Sequence, residues 1–203
     1  SADPVRPRRQ RALCADMITP VLILAAGKGS RMGTPKALMN SGNKPWWQTQ
    51  LARLHDARFE SVWVLSPEVH AIIGVGSLAP ANVVISDSSR PMFASICAGI
   101  DSLRVHPPRG IYILPIDVPA SRDHALWLSL QTTALPTAPT FQGKRGHPIY
   151  LPWAWVTSTL DPKRAEASNA DSLRLDELLR PAVLEIPVND PVVVCNLNTP
   201  EDF

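Results

Sequence analysis

VLILAAGKGSRMGTPKAL, residues Val21 to Leu38, sets the terms for the rest of the chain. Its first five residues form a continuous apolar run, the pattern of a parallel strand buried on both faces. The glycines at 27, 29 and 33 then let the backbone bend and bring its N–H groups close to anionic oxygens, where a side chain would stand in the way. Arg31 and Lys36 place two cations in the same loop. A buried strand opening into such a loop suits a polyphosphate, because the cations stabilise charge while an α-phosphorus is attacked and pyrophosphate departs. The segment is not a dinucleotide fingerprint, since position 32 is Met and the third glycine falls at 33, nor a Walker A, which needs Gly-Lys followed by Ser or Thr. A glycine turn carrying two solvated cations is the plainer reading of the same residues.

Downstream, apolar strands alternate with helical stretches: a helix around Trp46 to Ala57, SVWVLS, a helix near Val69, NVVIS, a helix over Phe93 to Leu103, and GIYILPI. This order predicts a single Rossmann-like α/β domain, with a mainly parallel sheet and helices on both faces. Ligands in such sheets bind at the carboxyl ends of the strands. Gly27, Asp87 and Asp117 each follow a strand directly, so three loops converge on one edge. The segment with Pro136, Pro139, Pro148 and Pro152 reads as irregular, an added lobe beside that edge. SLRLDELL, Ser172 to Leu179, reads as an amphipathic helix with Leu173, Leu175, Leu178 and Leu179 inward. Residues 1–17, with Arg6, Arg8, Arg9 and Arg11 and no periodicity, read as a flexible extension, and residues 18–203 as the domain.

Four further motifs stand in order behind the glycine loop: SDSSRPMFASICAGI (Ser86–Ile100), ILPIDVP (Ile113–Pro119), GKRGHPIYL (Gly143–Leu151) and NLNTPEDF (Asn196–Phe203). Together with LAAGKGSRMGTPKAL they resemble the signatures of MobA-like nucleotidyltransferases, the molybdenum-cofactor cytidylyl- and guanylyltransferases. More distantly they are similar to the cytidylyltransferase of isoprenoid synthesis and to sugar-phosphate nucleotidyltransferases. The resemblance runs from about residue 21 to the end. It implies a nucleotide-diphospho-sugar transferase-like fold, a nucleotide grip formed by Leu24, Ala25, Ala26, Gly27, Gly29, Arg31 and Lys36, and a divalent cation, Mg²⁺, held by Asp117 with Asn198 as the second position. It also implies that Asp87 and Ser95 lie near base and ribose, and that His147 lies near the acceptor.

The residue chemistry agrees with those roles and leaves alternatives beside them. A nucleotide-bound Mg²⁺ needs only one or two protein ligands, because phosphates and waters complete its octahedron. Asn198 offers a neutral oxygen, so Asp117 is the one strong carboxylate ligand expected. Arg31, Lys36 and Asp117 are the catalytic candidates. A strand-end Asp such as Asp117, or Asp87 in SDSS, is also an ordinary turn residue. Thr199, Pro200, Glu201 and Asp202 read equally as a helix start. The chain stops at Phe203 before such a helix could make a second turn, an ending that suggests truncation. His147 reads as an acceptor-pocket residue, a base or a packed imidazole. Trp46 and Trp47, where relatives carry plain apolar residues, read as core, interface or lid.

The remaining composition narrows the function classes. A formal charge of +2 over 203 residues gives no bulk signal for nucleic acid, and the basic cluster is confined to the first residues. No stretch has the apolar length of a membrane helix and no secretion signal is visible, which predicts a cytoplasmic protein. Cys14, Cys97 and Cys195 are odd in number and widely spaced, so buried free thiols are expected rather than disulfides or a zinc site. The reading that unites these features is Mg²⁺-dependent transfer of NMP from CTP or GTP to a phosphorylated acceptor, molybdopterin first. LAAG and MFASICAG lean towards CTP, and NLNTPED towards GTP. Cytidylyl transfer to a sugar or polyol phosphate is the alternative reaction. A non-catalytic nucleotide-binding partner, or a chaperone of a molybdoenzyme, is the alternative from another class.

Overall fold

The computed structural model describes residues 19–203, apart from 28, 30–32, 75, 80, 132 and 133. Arg31 of the grip loop and the expected extension at 1–17 therefore lie outside the described residues. In chain order the elements are β1 (Val21–Ala25), β2 (Asn40–Ser41), β3 (Lys44–Pro45), α1 (Trp46–Asp56), β4 (Ser61–Leu65), α2 (Pro67–Ile73), β5 (Asn82–Ile85), α3 (Met92–Ser102) and β6 (Gly110–Pro115). There follow α4 (His124–Ser129), β7 (Thr137–Phe141), β8 (Lys144–Arg145), β9 (Ile149–Pro152), α5 (Trp153–Trp155), α6 (Asp161–Glu166), α7 (Leu175–Leu179) and β10 (Leu184–Pro187). A π-helical stretch, Val156–Leu160, joins α5 to α6.

The main sheet has the order β10-β7-β9-β6-β1-β4-β5, with β8 paired to β7. β1 lies parallel to both β4 and β6, with Leu24 opposite Val64 and Pro115. Its five residues are all buried, and they alternate between the two faces: Val21, Ile23 and Ala25 join one core, Leu22 and Leu24 the other. The first core takes residues from α1, α2 and α4, including Leu54, Val69 and Trp127; the second takes Phe93, Ile96 and Ile100 from α3 with Trp155 and Leu160. The continuous apolar run is thus what a strand covered by helices on both sides requires. Trp46 and Trp47 are buried in the first core, not a lid over the surface.

The proline-rich region corrects the sequence reading. Three strands, β7 to β9, run through residues 137–152 and extend the central sheet, with β9 antiparallel to β6 and β7 and β10 parallel to β7, while Pro136 and Pro148 lie outside the strands. Pro139 fits in β7 because its missing N–H points away from β10. The carbonyls of Pro136 and Thr140 accept from Leu184 and Val188 on the β10 side, while that of Pro139 turns to the amide of Gly146. The helix expected over 172–179 is shorter: Arg174 is extended, and α7 begins only at Leu175. Leu175 and Leu179 are buried, and Leu173 and Leu178 pack on the same core.

Candidate active site

β1, β4, β5 and β6 end on one edge, and the loops that follow β1, β5 and β6 build a cavity of about 250 Å³. Leu24, Ala25, Ala26, Gly27, Gly29, Lys36, Ser95 and Asp117 all line it. The loop after β1 takes a shape only glycine allows at one point. Gly29 has φ +62°, and a Cβ there would lie 2.1 Å from the carbonyl oxygen of Thr34. That turn delivers Lys36, at the start of a short 3-10 turn, to the mouth of the cavity.

Lys36 joins the candidates that the sequence left apart. Its Nζ donates to Asp117 Oδ2 at 2.7 Å and to Asn198 Oδ1 at 3.2 Å, across 81 and 162 residues of chain. The side chains of Lys36 and Asp117 keep 22% and 23% of their surface exposed, so the cluster is open to a ligand. The carbonyl of Asp117 accepts from the amide of Leu197, which brings the Asn198 turn against the end of β6. Asn198 is fixed in turn by Asp202, whose Oδ2 accepts from the amides of Asn198 and Thr199, each at 2.8 Å. Thr199 and Asp202 form a reciprocal capping box around Pro200–Asp202. These backbone donors hold the Asp202 carboxyl below the usual carboxylate range. The capping box of NTPED thus also sets the Asn198 side chain beside Lys36.

Two oxygens converging on one cationic atom are a donor set suited to a hard divalent ion, and the Lys36 ammonium marks where positive charge is accepted. Among the described residues there is no group of three or more His, Cys, Asp or Glu able to hold a metal. The arrangement thus fits a cation that arrives with phosphate ligands of its own.

The other candidates divide. Ser95 Oγ lies 3.0 Å from Ser86 Oγ and faces the cavity from the first turn of α3. Asp87 does not line the cavity; its Oδ1 accepts from the amide and hydroxyl of Ser89, the turn role open to it from sequence. Its neighbours Ser88 and Arg90 take the lining positions instead, with Met92. Arg90 was missed, although it stands inside SDSSRPMFASICAGI. Its guanidinium binds Asp171 at 2.7 Å, and that partner holds its pKa above the usual value.

His147 sits on a second cavity of about 660 Å³ that shares Leu24, Met92 and Pro115 with the first. Its walls are apolar, including Phe93, Ile96, Ile149 and Leu175, with Arg145, Arg174 and Asp176 as charged members. Burial lowers the His147 pKa to about 4 against an opposing pull from Asp117, so the imidazole is neutral at pH 7. Gly146 precedes it because a Cβ there would lie 2.1 Å from the carbonyl oxygen of Val193. That carbonyl accepts the His147 amide at 2.8 Å. A larger hollow of about 1030 Å³ lies at the opposite edge, against the starts of β4 and β5, away from the Lys36 cluster. Cys97 and Cys195 are free thiols, with burial raising the Cys97 pKa to about 11; Cys14 lies outside the described residues.

No protein of curated function matches the chain significantly. Solved structures do. Rv0371c from Mycobacterium tuberculosis superposes with a TM-score of 0.71 at 22% identity, covering 92% of this chain and 95% of that one. A manganese complex of the same protein matches at 0.61 and 18%, covering 86% and 89%. A nucleotidyl transferase from Methanothermobacter thermautotrophicus matches at 0.67 and 20%, covering 92% and 94%. A 4-diphosphocytidyl-2C-methyl-D-erythritol synthase from Anaerococcus prevotii matches at 0.68 and 14%, covering 92% and 95%. These likenesses establish the fold. The family model described as the MobA-like NTP transferase domain matches residues 21–179, from the first residue of β1 to the last of α7. With that match spanning both cavities and the Lys36–Asp117 pair, the chain belongs to the MobA-like NTP transferase family and is a nucleotidyltransferase.

Proposed function

We propose that the protein transfers NMP from CTP to a phosphorylated, flat heterocyclic acceptor, molybdopterin, with release of pyrophosphate and with Mg²⁺ as the working cation. The observation that carries this reading is the meeting of Lys36, Asp117 and Asn198 at the mouth of the cavity floored by Leu24–Gly27. Asp117 and Asn198 would hold the cation, which when bound neutralises charge on the phosphates. Lys36, with Arg31 from the same loop, stabilises the pyrophosphate as it leaves. Ser95 and Ser88 face the nucleoside, and the compact cavity favours the single-ring base.

The acceptor side rests on the second cavity. Its largely apolar walls suit a flat ring system, and Arg145 and Arg174 offer charge to a phosphate. A phosphate monoester is already anionic and attacks without a general base, consistent with the neutral His147 acting as a wall and hydrogen-bonding group. The free thiols and near-neutral charge accord with a cytosolic enzyme that hands its product to a molybdoenzyme or its chaperone.

Steady-state assays with Mg²⁺ and molybdopterin test this. CTP should exceed GTP by at least ~10-fold in kcat/KM, a difference of only about 1.4 kcal/mol in transition-state binding. A GTP preference overturns the base assignment. Cytidylyl transfer to a polyol phosphate, without activity on molybdopterin, overturns the acceptor.

A further inference from the structure

One face of α1 is devoted to the backbone of the segment that carries Asp117. Trp46, Gln50 and Arg53 stand at positions i, i+4 and i+7, so their side chains share that face. Trp46 Nε1 donates to the carbonyl of Ile116 at 2.6 Å. Gln50 Nε2 donates to the carbonyl of Val118 at 2.7 Å, and Gln50 Oε1 accepts from the amide of Ala120 at 2.9 Å. Arg53 Nε donates to the carbonyl of Ala120 at 2.6 Å. The carbonyl between the first two contacts, that of Asp117, is the one taken by Leu197. Trp46 also reaches the other ligand turn: its ring meets Phe203 edge-on, with centroids 5.6 Å apart, just behind the capping box that fixes Asn198.

A buried tryptophan and a fully buried glutamine are costly ways to fill a core that leucine would fill, unless their polar atoms are used. Here every such atom goes to the Asp117 segment, about 70 residues away in sequence. We propose that Trp46 and Gln50 are positioning residues for the divalent cation, holding the peptides on both sides of Asp117 and, through Trp46 and Phe203, the turn of Asn198. The inference rests on the nucleotidyl-transfer reading of the site. A side chain can present its oxygen to a cation at fixed geometry only if its own backbone is fixed, so loosening the peptides should weaken the ion before it weakens the fold.

The test is Mn²⁺ binding, followed by EPR, to the full chain with saturating CTP and, separately, GTP. Trp46→Phe keeps a ring beside Phe203 and deletes the N–H that holds Ile116. Gln50→Met removes the second grip and repeats the test if Trp46→Phe does not fold. Trp155→Phe trims a tryptophan of the opposite core as a stability control. Trp46→Phe should bind Mn²⁺ at least fivefold more weakly, with kcat falling and nucleotide KM little changed. Trp155→Phe should keep wild-type Mn²⁺ affinity even where its Tm drops as far. Equal Mn²⁺ affinity in wild type and both α1 variants overturns the inference, as does an equal loss in Trp155→Phe. Wild-type protein that binds no Mn²⁺ with either nucleotide overturns the nucleotidyl-transfer reading, and the inference with it.

Discussion

Strands β1, β4, β5 and β6 run parallel, and apart from the β5 edge they are almost wholly buried; β7 to β10 include a reversed strand, a two-residue strand and three strands that carry proline. The two halves also contribute differently to the site. The parallel half supplies the glycine loop, Lys36, Ser95 and Asp117, all around one small cavity. The other half supplies Arg145 and His147, and the chain beyond it supplies Asn198. The difference teaches that the parallel half gathers its cation and carboxylate around a small cavity, with Asp117 just past the end of β6 and Lys36 and Ser95 carried further along by a 3-10 turn and by α3. Where the sheet changes direction it borders a wider, largely apolar hollow, the one proposed above to take the acceptor.

That division can be broken by mutation. In the parallel half, Asp117→Ala should cut pyrophosphate release by at least ~10²-fold while leaving Tm nearly unchanged, because a partly exposed ion pair adds little to stability. Near-normal turnover would remove Asp117 from the site. In the other half the expected effects are smaller and of another kind. Gly146→Ala forces a methyl against the Val193 carbonyl and should cost about 1 to 3 kcal/mol, read by denaturant unfolding. Arg174→Ala should raise the acceptor KM by ~10-fold, the scale of one charged hydrogen bond, with the nucleotide KM unchanged. A matching rise in nucleotide KM would show that the two cavities do not divide the substrates.

The legibility of the chain followed the same boundary. α1 and α3 lie within a residue of the ranges read from sequence, and the first strands were visible because an unbroken apolar run between helices has few other interpretations. β7 and β9 were not visible. Pro139 and Pro152 normally argue against a central strand, and nothing local reveals that the missing N–H of Pro139 faces away from its β10 neighbour. Lys36, Asp117 and Asn198 were legible as types, through their motifs, but their meeting at one atom depends on the fold. The donors of Trp46 and Gln50 were invisible because their partners lie about 70 residues along the chain. The Asp87 carboxylate accepts from Ser89, and Arg90, three residues on, lines the cavity.

The smallest expected effect concerns pH. In the folded, metal-free protein His147 has a pKa near 4, below the ordinary value of 6.5. Between those values the unfolded chain binds a proton that the folded one does not, so stability is complete above about pH 6.5 and declines as pH falls towards 4. At pH 5.5 the loss should be about 1 kcal/mol. His147→Asn should flatten that part of the pH–Tm profile. An unchanged profile would mean that His147 titrates normally.

The central claim is that the Lys36, Asp117 and Asn198 cluster is where nucleotide and cation meet. A crystal structure with CTP and Mn²⁺, using the anomalous signal of manganese, tests it most directly. The account predicts a manganese peak bonded to Asp117 beside Asn198, with the triphosphate along the loop from Gly27 to Lys36. Manganese bound away from Asp117, or the nucleotide lodged in the hollow at the starts of β4 and β5, would contradict it.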